Sequence, residues 1–135
     1  MGLPLAKQGD TVTAMDMHIV LVPAPPSPSP VPTPLPHPFN GIINGNVSTS
    51  VFVGGLPAAT VGSIAVNTPP HIPMPPGVSF VVPPTNQATI MIGSTSVFIQ
   101  GKMAARNGDT AQSCADPVPN MAATIIAVST VMVGG

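Results

Sequence analysis

The chain has 135 residues, of which only 5% are charged, with a formal net charge of −1, twenty prolines and neither Trp nor Tyr. This excludes a basic nucleic-acid binder, which needs clustered Lys and Arg, and an acidic disordered tail, which needs self-repelling charge. Proline removes backbone donors and fixes φ, while Val, Thr, Ile, Ser and Gly fill the intervals, so short strands and stiff loops are predicted in place of long helices: an all-β chain forming one domain over residues 1–135.

In chain order, Gly2 to Asp10 (GLPLAKQGD) carries Lys7 and Asp10 and lacks an apolar run followed by a small-residue cleavage site, so no secretory signal is expected and synthesis in the cytoplasm is. Thr11 to Asn40 is predicted as a first loop. It holds IVLV, Ile19 to Val22, far short of the ~20 residues that span a bilayer, and then PAPPSPSPVPTPLPHP, for which polyproline II is the natural conformation. Gly41 to Ser63 is a strand-rich block in which TSVFV is followed by a turn at Gly55. Ile64 to Gln87 is a second loop containing NTPPHIPMPP, Ala88 to Asp109 a second block with TSVFI and a turn at Gly101, Thr110 to Ala122 a third loop with AQSCADPVP, and Ala123 to Gly135 a closing strand-rich segment.

The blocks repeat. STSVFVGGLPAATVGS, Ser48 to Ser63, aligns without a gap on STSVFIQGKMAARNGD, Ser94 to Asp109, sharing STSVF, the central alanine pair and two glycines. The chain closes on STVMVGG, Ser129 to Gly135, like the first half of the repeat, and opens on GLPLAKQGD, like the second. Residues 128–135 joined to 2–10 thus make a third copy beside 48–63 and 94–109. A repeat that wraps across the termini requires the two ends to meet, so a closed, pseudo-three-fold object is expected.

The loops carry the chemistry. His18 follows Gly9 by nine residues, His71 follows Gly62 by nine, and Cys114 follows Gly108 by six, while His37 sits where the first loop returns toward the strands. Every His and the one Cys lie on these loops. Three loops converging on an axis would bring His18, His37, His71 and Cys114 together as a tetrahedral His₃Cys zinc site, a closed shell that suits structure over catalysis. Met15, Met17 and Met74 would favour Cu(I), but imidazole and thiolate already fill a zinc site. A lone cysteine forms no internal disulfide.

The pattern SxSVFxxGxxAAxxGD, with PAAT at Pro57 to Thr60 and MAAR at Met103 to Arg106, resembles the PAAR-domain family across essentially the whole chain. The resemblance implies a conical β-hairpin repeat domain with long proline-rich loops converging on one zinc ion at the apex. It carries the ligand roles onto His18, His37, His71 and Cys114. It further implies a spike tip that caps, as a single copy, the homotrimeric (VgrG-type) central spike of a type VI secretion system or a related phage-tail-like contractile injection particle. That tip would sharpen the spike for puncture of a target-cell membrane, with effector cargo a further potential partner and delivery or release outside the producing cell. No fused effector is expected, which together with the divergent loops leans toward a free particle.

Two other classes compete with this reading. A zinc hydrolase using Asp10, Asp16, Asp109 or Asp116 as base would need an open metal position that a His₃Cys shell lacks, so no enzyme is expected. A metal-stabilised adhesive or interaction module whose proline-rich loops bind a partner is the alternative. Asn46-Val47-Ser48 matches a glycosylation sequon but without a secretory route, and GGLPAATVG lacks the Gly-Lys-Ser/Thr of a phosphate loop. Asp10 and Asp109, after closing glycines, are expected to cap turns.

Overall fold

The computed structural model describes residues 2–134; Gly135, at the end of the third copy, lies outside the described residues. Among them run β1 (Leu3–Pro4), β2 (Thr11–Val22), β3 (Val31–Gly45), β4 (Phe52–Val53), β5 (Leu56–Pro57), β6 (Ile64–Asn67) and β7 (Ser79–Phe80). They are followed by β8 (Gln87–Ile90), β9 (Phe98–Ile99), β10 (Lys102–Met103), β11 (Thr110–Gln112), β12 (Ala123–Ile126) and β13 (Met132–Val133), and the described residues contain no helix. The fold is all-β. Among the described residues no helix is long and apolar enough to cross a membrane.

Three short hairpins form one end. β4 pairs with β5 through Phe52↔Pro57, β9 with β10 through Phe98↔Met103, and β13 with β1 through Met132↔Pro4, so the last strand and the first build the third equivalent hairpin. Gly54-Gly55 and Gln100-Gly101 turn two of them with positive φ throughout, the conformation that matches the twist of a two-residue hairpin. Beyond the hairpins the three matched segments, Leu5-Ala6, Ala58-Ala59 and Ala104-Ala105, cross at an axis. The Ala6 amide donates to Ala105 O at 2.9 Å, Ala59 to Ala6 O at 2.9 Å, and Ala105 to Ala59 O at 3.1 Å, a closed cycle of hydrogen bonds between fully buried residues. Each copy then turns on a glycine of matched conformation, Gly9, Gly62 and Gly108, with φ of 94°, 95° and 88°. Asp10, Ser63 and Asp109 cap those turns by accepting from the Lys7, Thr60 and Arg106 amides.

Past the turns, six strands close a barrel in the order β2–β3–β6–β8–β11–β12, with β12 returning to β2 through Ile125↔Val12 and β7 added outside β2. The interior is layered and narrow: Ile43, Ile90 and Ile125 above the alanine crossing, then the facing pairs Val12/Gly41, Ala65/Ala88 and Ala111/Ala123. Phe39 lies over Gly41, where a Cβ would meet its ring at 2.6 Å. A second, smaller cluster of Leu5, Val53, Ala58, Ile99, Ala104 and Val133 fills the space beneath the crossing.

The structure corrects the loop boundaries. Residues 11–40 do not form a loop: β2 and β3 make a long antiparallel ribbon, from Thr11↔Ile42 to Val22↔Val31, leaving only residues 23–30 as its turn. The reason is the spacing of Pro32, Pro34, Pro36 and Pro38. Hydrogen-bonded and non-hydrogen-bonded pairs alternate in an antiparallel ladder. Prolines two apart all take non-hydrogen-bonded positions toward β2, and their missing N–H groups fall on the outer edge, which β6 joins only from Gly41 onward. Their side chains face solvent while His37 and Phe39 face inward. Ile64–Asn67 and Thr110–Gln112, also predicted as loop, are strands that complete the barrel.

Candidate metal centre

The ribbon and two loops carry polar side chains to the top of the barrel, above Phe39. On β2 the two-residue spacing puts Asp16 and His18 on one inward face, both with no exposed surface. His71 arrives on the loop after β6, its amide donating to Asn86 Oδ1 at 2.8 Å, and Cys114 arrives on the loop after β11. Asn86, at φ 59°, also accepts the Asn67 amide through its carbonyl and donates its own amide to the Cys114 sulfur, so one residue ties together two of the donor-bearing loops.

One donor atom from each of Asp16, His18, His71 and Cys114 lies within 4.8 Å of every other. Cys114 Sγ is 3.7 Å from His18 Nε2 and 3.6 Å from Asp16 Oδ2, and His71 Nε2 is 3.7 Å from Asp16 Oδ2. With bonds of about 2.0–2.3 Å to nitrogen, oxygen and sulfur, the edges of a tetrahedral zinc shell come to roughly 3.3–3.6 Å. Three of the cluster's six edges are thus close to that size before any ion enters. His71 Nε2 is buried without a hydrogen-bond partner, although buried polar atoms are nearly always paired. A cation at the centre would supply what it lacks.

The surroundings orient the donors. Asp116 Oδ2 lies 3.1 Å from His18 Nδ1, and since a carboxylate only accepts, the Nδ1 carries the proton and the Nε2 lone pair faces the centre. Asp116 is itself held by its amide, which donates to Met17 O at 2.8 Å. Ser113 Oγ and Asn120 Nδ2 both donate to Asp16 Oδ1, leaving Oδ2 turned to the cluster. Burial opposes ionisation of Asp16, but the facing His71 ring, Ser113, Asn120 and Cys114 outweigh it and hold the carboxyl below its ordinary value. Burial pushes the Cys114 thiol up to about 11, so it ionises at neutral pH only with a cation beside it.

Of the four residues expected from sequence, His18, His71 and Cys114 stand together. His37 packs against them, its ring centroid 5.3 Å from that of His18 and 5.6 Å from that of His71, but its nitrogens point elsewhere. Nδ1 donates to Leu35 O at 2.8 Å and Nε2 accepts the Met74 amide at 3.0 Å. Burial and the neighbouring imidazoles hold it below the ordinary imidazole range despite the Leu35 carbonyl. Sequence reasoning offered Asp16 and Asp116 only as candidate bases beside a zinc ion, not as a donor and an orienting partner; the Asp-x-His spacing of Asp16 and His18 was the available signal. Asp10 and Asp109 are instead ion-paired in the turns, to Lys7 at 2.9 Å and Arg106 at 3.0 Å.

A closed, pseudo-three-fold β-repeat barrel with a metal-sized donor cluster above its core defines the class. The PAAR motif matches residues 35–120, and the chain belongs to that family of spike-tip proteins. Among curated proteins none matches it in sequence.

Proposed function

We propose that the protein caps the trimeric, VgrG-type spike of a contractile injection system as a single copy and presents a metal-pinned tip to the target envelope. The observation that carries this reading is the end opposite the donor cluster. Phe52, Phe98 and Met132 occupy equivalent hairpin positions with exposures of 57%, 57% and 60%, beside Val51, Val97 and Val131. One chain with three near-identical apolar hairpins fits a true three-fold partner without a symmetry mismatch, and contiguous exposed apolar surface of this kind marks an interaction site. At the other end, zinc held by His18, His71, Cys114 and a fourth donor would cross-link the ribbon to both loops, supplying rigidity that proline-rich backbone, poor in N–H groups, does not. A shell of four protein donors leaves no position for substrate, which supports a structural rather than an enzymatic role.

The test is binding to the purified trimeric spike encoded with this chain. Phe52→Asp with Phe98→Asp should abolish capture while leaving the melting temperature within about 2 °C, since both rings are exposed. Capture of the variant at parental affinity, or a stoichiometry other than one chain per trimer, would refute the docking. Assembly at the particle tip and release outside the producing cell follow from this reading.

A further inference from the structure

We propose that the fourth donor to the metal is the Asp16 carboxylate rather than the His37 imidazole, and that His37 instead fastens the His71 loop; this rests on the metal-centre reading above. Asp16 and His37 face each other in register across the β2–β3 ribbon, so backbone position alone gives either residue access to the centre. Their side chains separate them. Asp16 Oδ1 is occupied by Ser113 Oγ and Asn120 Nδ2, and Oδ2, left over, stands at 3.6–3.7 Å from Cys114 Sγ and His71 Nε2, the spacing of a shared coordination shell. A carboxylate so arranged binds an ion through one oxygen while the other is held fixed.

His37 has no free lone pair. Leu35 O can only accept and the Met74 amide can only donate, so Nδ1 bears the proton and Nε2 is engaged by Met74. Met74 lies three residues beyond His71, and this bond pins the His71 loop to the ribbon. To ligate, His37 would have to release that amide and swing its ring.

Charge leads to the same assignment. Asp16 is fully buried beside a thiol and imidazoles, and a buried carboxylate needs a compensating cation. A shell of Asp16, His18, His71 and Cys114 thiolate brings two negative charges to a divalent ion and neutralises it. A His₃Cys shell would leave Asp16 as an uncoordinated anion a few ångströms away.

Co²⁺ titration of the full chain under reducing conditions tests this. The protein has no Trp or Tyr, so the thiolate-to-cobalt band in the near ultraviolet is unobstructed. His37→Gln should bind one Co²⁺ with the parental d–d spectrum, whereas Asp16→Asn, folded by circular dichroism, should shift the d–d bands and weaken binding at least about tenfold. If Asp16→Asn fails to fold, Asp16→Glu serves: shifted bands support carboxylate ligation, and an unchanged spectrum overturns it. The parental spectrum in Asp16→Asn together with an altered one in His37→Gln would overturn the assignment while leaving the metal centre standing. Failure of the parent to bind either Co²⁺ or Zn²⁺ would overturn the metal-centre reading, and the assignment with it.

Discussion

Gly41→Ala tests whether Phe39 seals the barrel directly beneath the donors. The new Cβ would meet Phe39 Cε1 at 2.6 Å and Ala65 Cβ at 2.9 Å, both too close for real contacts. Neither neighbour is a flexible end. The ring must turn toward His71, whose centroid is 6.0 Å away, or β3 and β6 must part. Overpacking of this kind costs about 1–3 kcal/mol. Loss of the glycine stiffens the unfolded chain and returns about 0.4–1 kcal/mol. Taking the middle of each range, the net loss is about 1.3 kcal/mol, and at ~2.1 cal/mol/K per residue over 135 residues the melting temperature should fall by about 5 °C. Far-UV circular dichroism is the assay, because without Trp or Tyr there is no fluorescence signal. In a Phe39→Leu background the same substitution should cost less than in the parent, because the ring clash is gone and only the Ala65 contact remains. An unchanged or raised melting temperature in the single variant, or an equal loss in both backgrounds, would refute the packing argument.

Zinc binding should release a proton that the Cys114→Ser variant does not release, because the parent thiol, at about 11, is protonated at pH 8 without metal. Calorimetry in two buffers of different ionisation enthalpy measures it, and affinity should rise with pH toward the thiol value; identical proton counts in parent and variant would exclude thiolate ligation. At the axis, Ala59→Val adds two methyl groups where three buried backbones exchange hydrogen bonds, and should cost about 1–3 kcal/mol in a denaturant titration; an unaffected midpoint would mean the crossing is not close-packed.

The three-fold repeat was legible because it is written in residue types that only certain backbone conformations need. An alanine, Ala6, Ala59 or Ala105, recurs where the three segments cross, and Gly9, Gly62 and Gly108 recur where each must turn with φ near 90°. The ribbon was not read as one because the abundance of proline points to a loop, whereas spacing decides: four prolines two residues apart are compatible with an edge strand, and the same four in adjacent positions are not. That misreading hid Asp16 as a donor. Taken as a loop, residues 11–22 have no faces, and nothing links Asp16 to His18; as a strand, the spacing of two puts them on one side. The orientation of the His37 ring was beyond reach of sequence, since it depends on the Met74 amide of another loop.

The placement of charge bears on what such a tip can meet. The chain has three basic and four acidic side chains. Lys7 with Asp10 and Arg106 with Asp109 are paired at the turns just past the alanine crossing, while Asp16 and Asp116 are drawn into the donor cluster. Lys102, exposed on a hairpin at the docking end, is the remaining one. The segments around the cluster, residues 23–30, 68–86 and 117–122, therefore carry no Asp, Glu, Lys or Arg at all. A charged side chain forced into hydrocarbon costs several kcal/mol, and flexible charged termini would also blunt a point. Proline and small apolar residues avoid both penalties, and their want of backbone hydrogen bonds is the deficit that a metal tying His18, His71 and Cys114 together would offset.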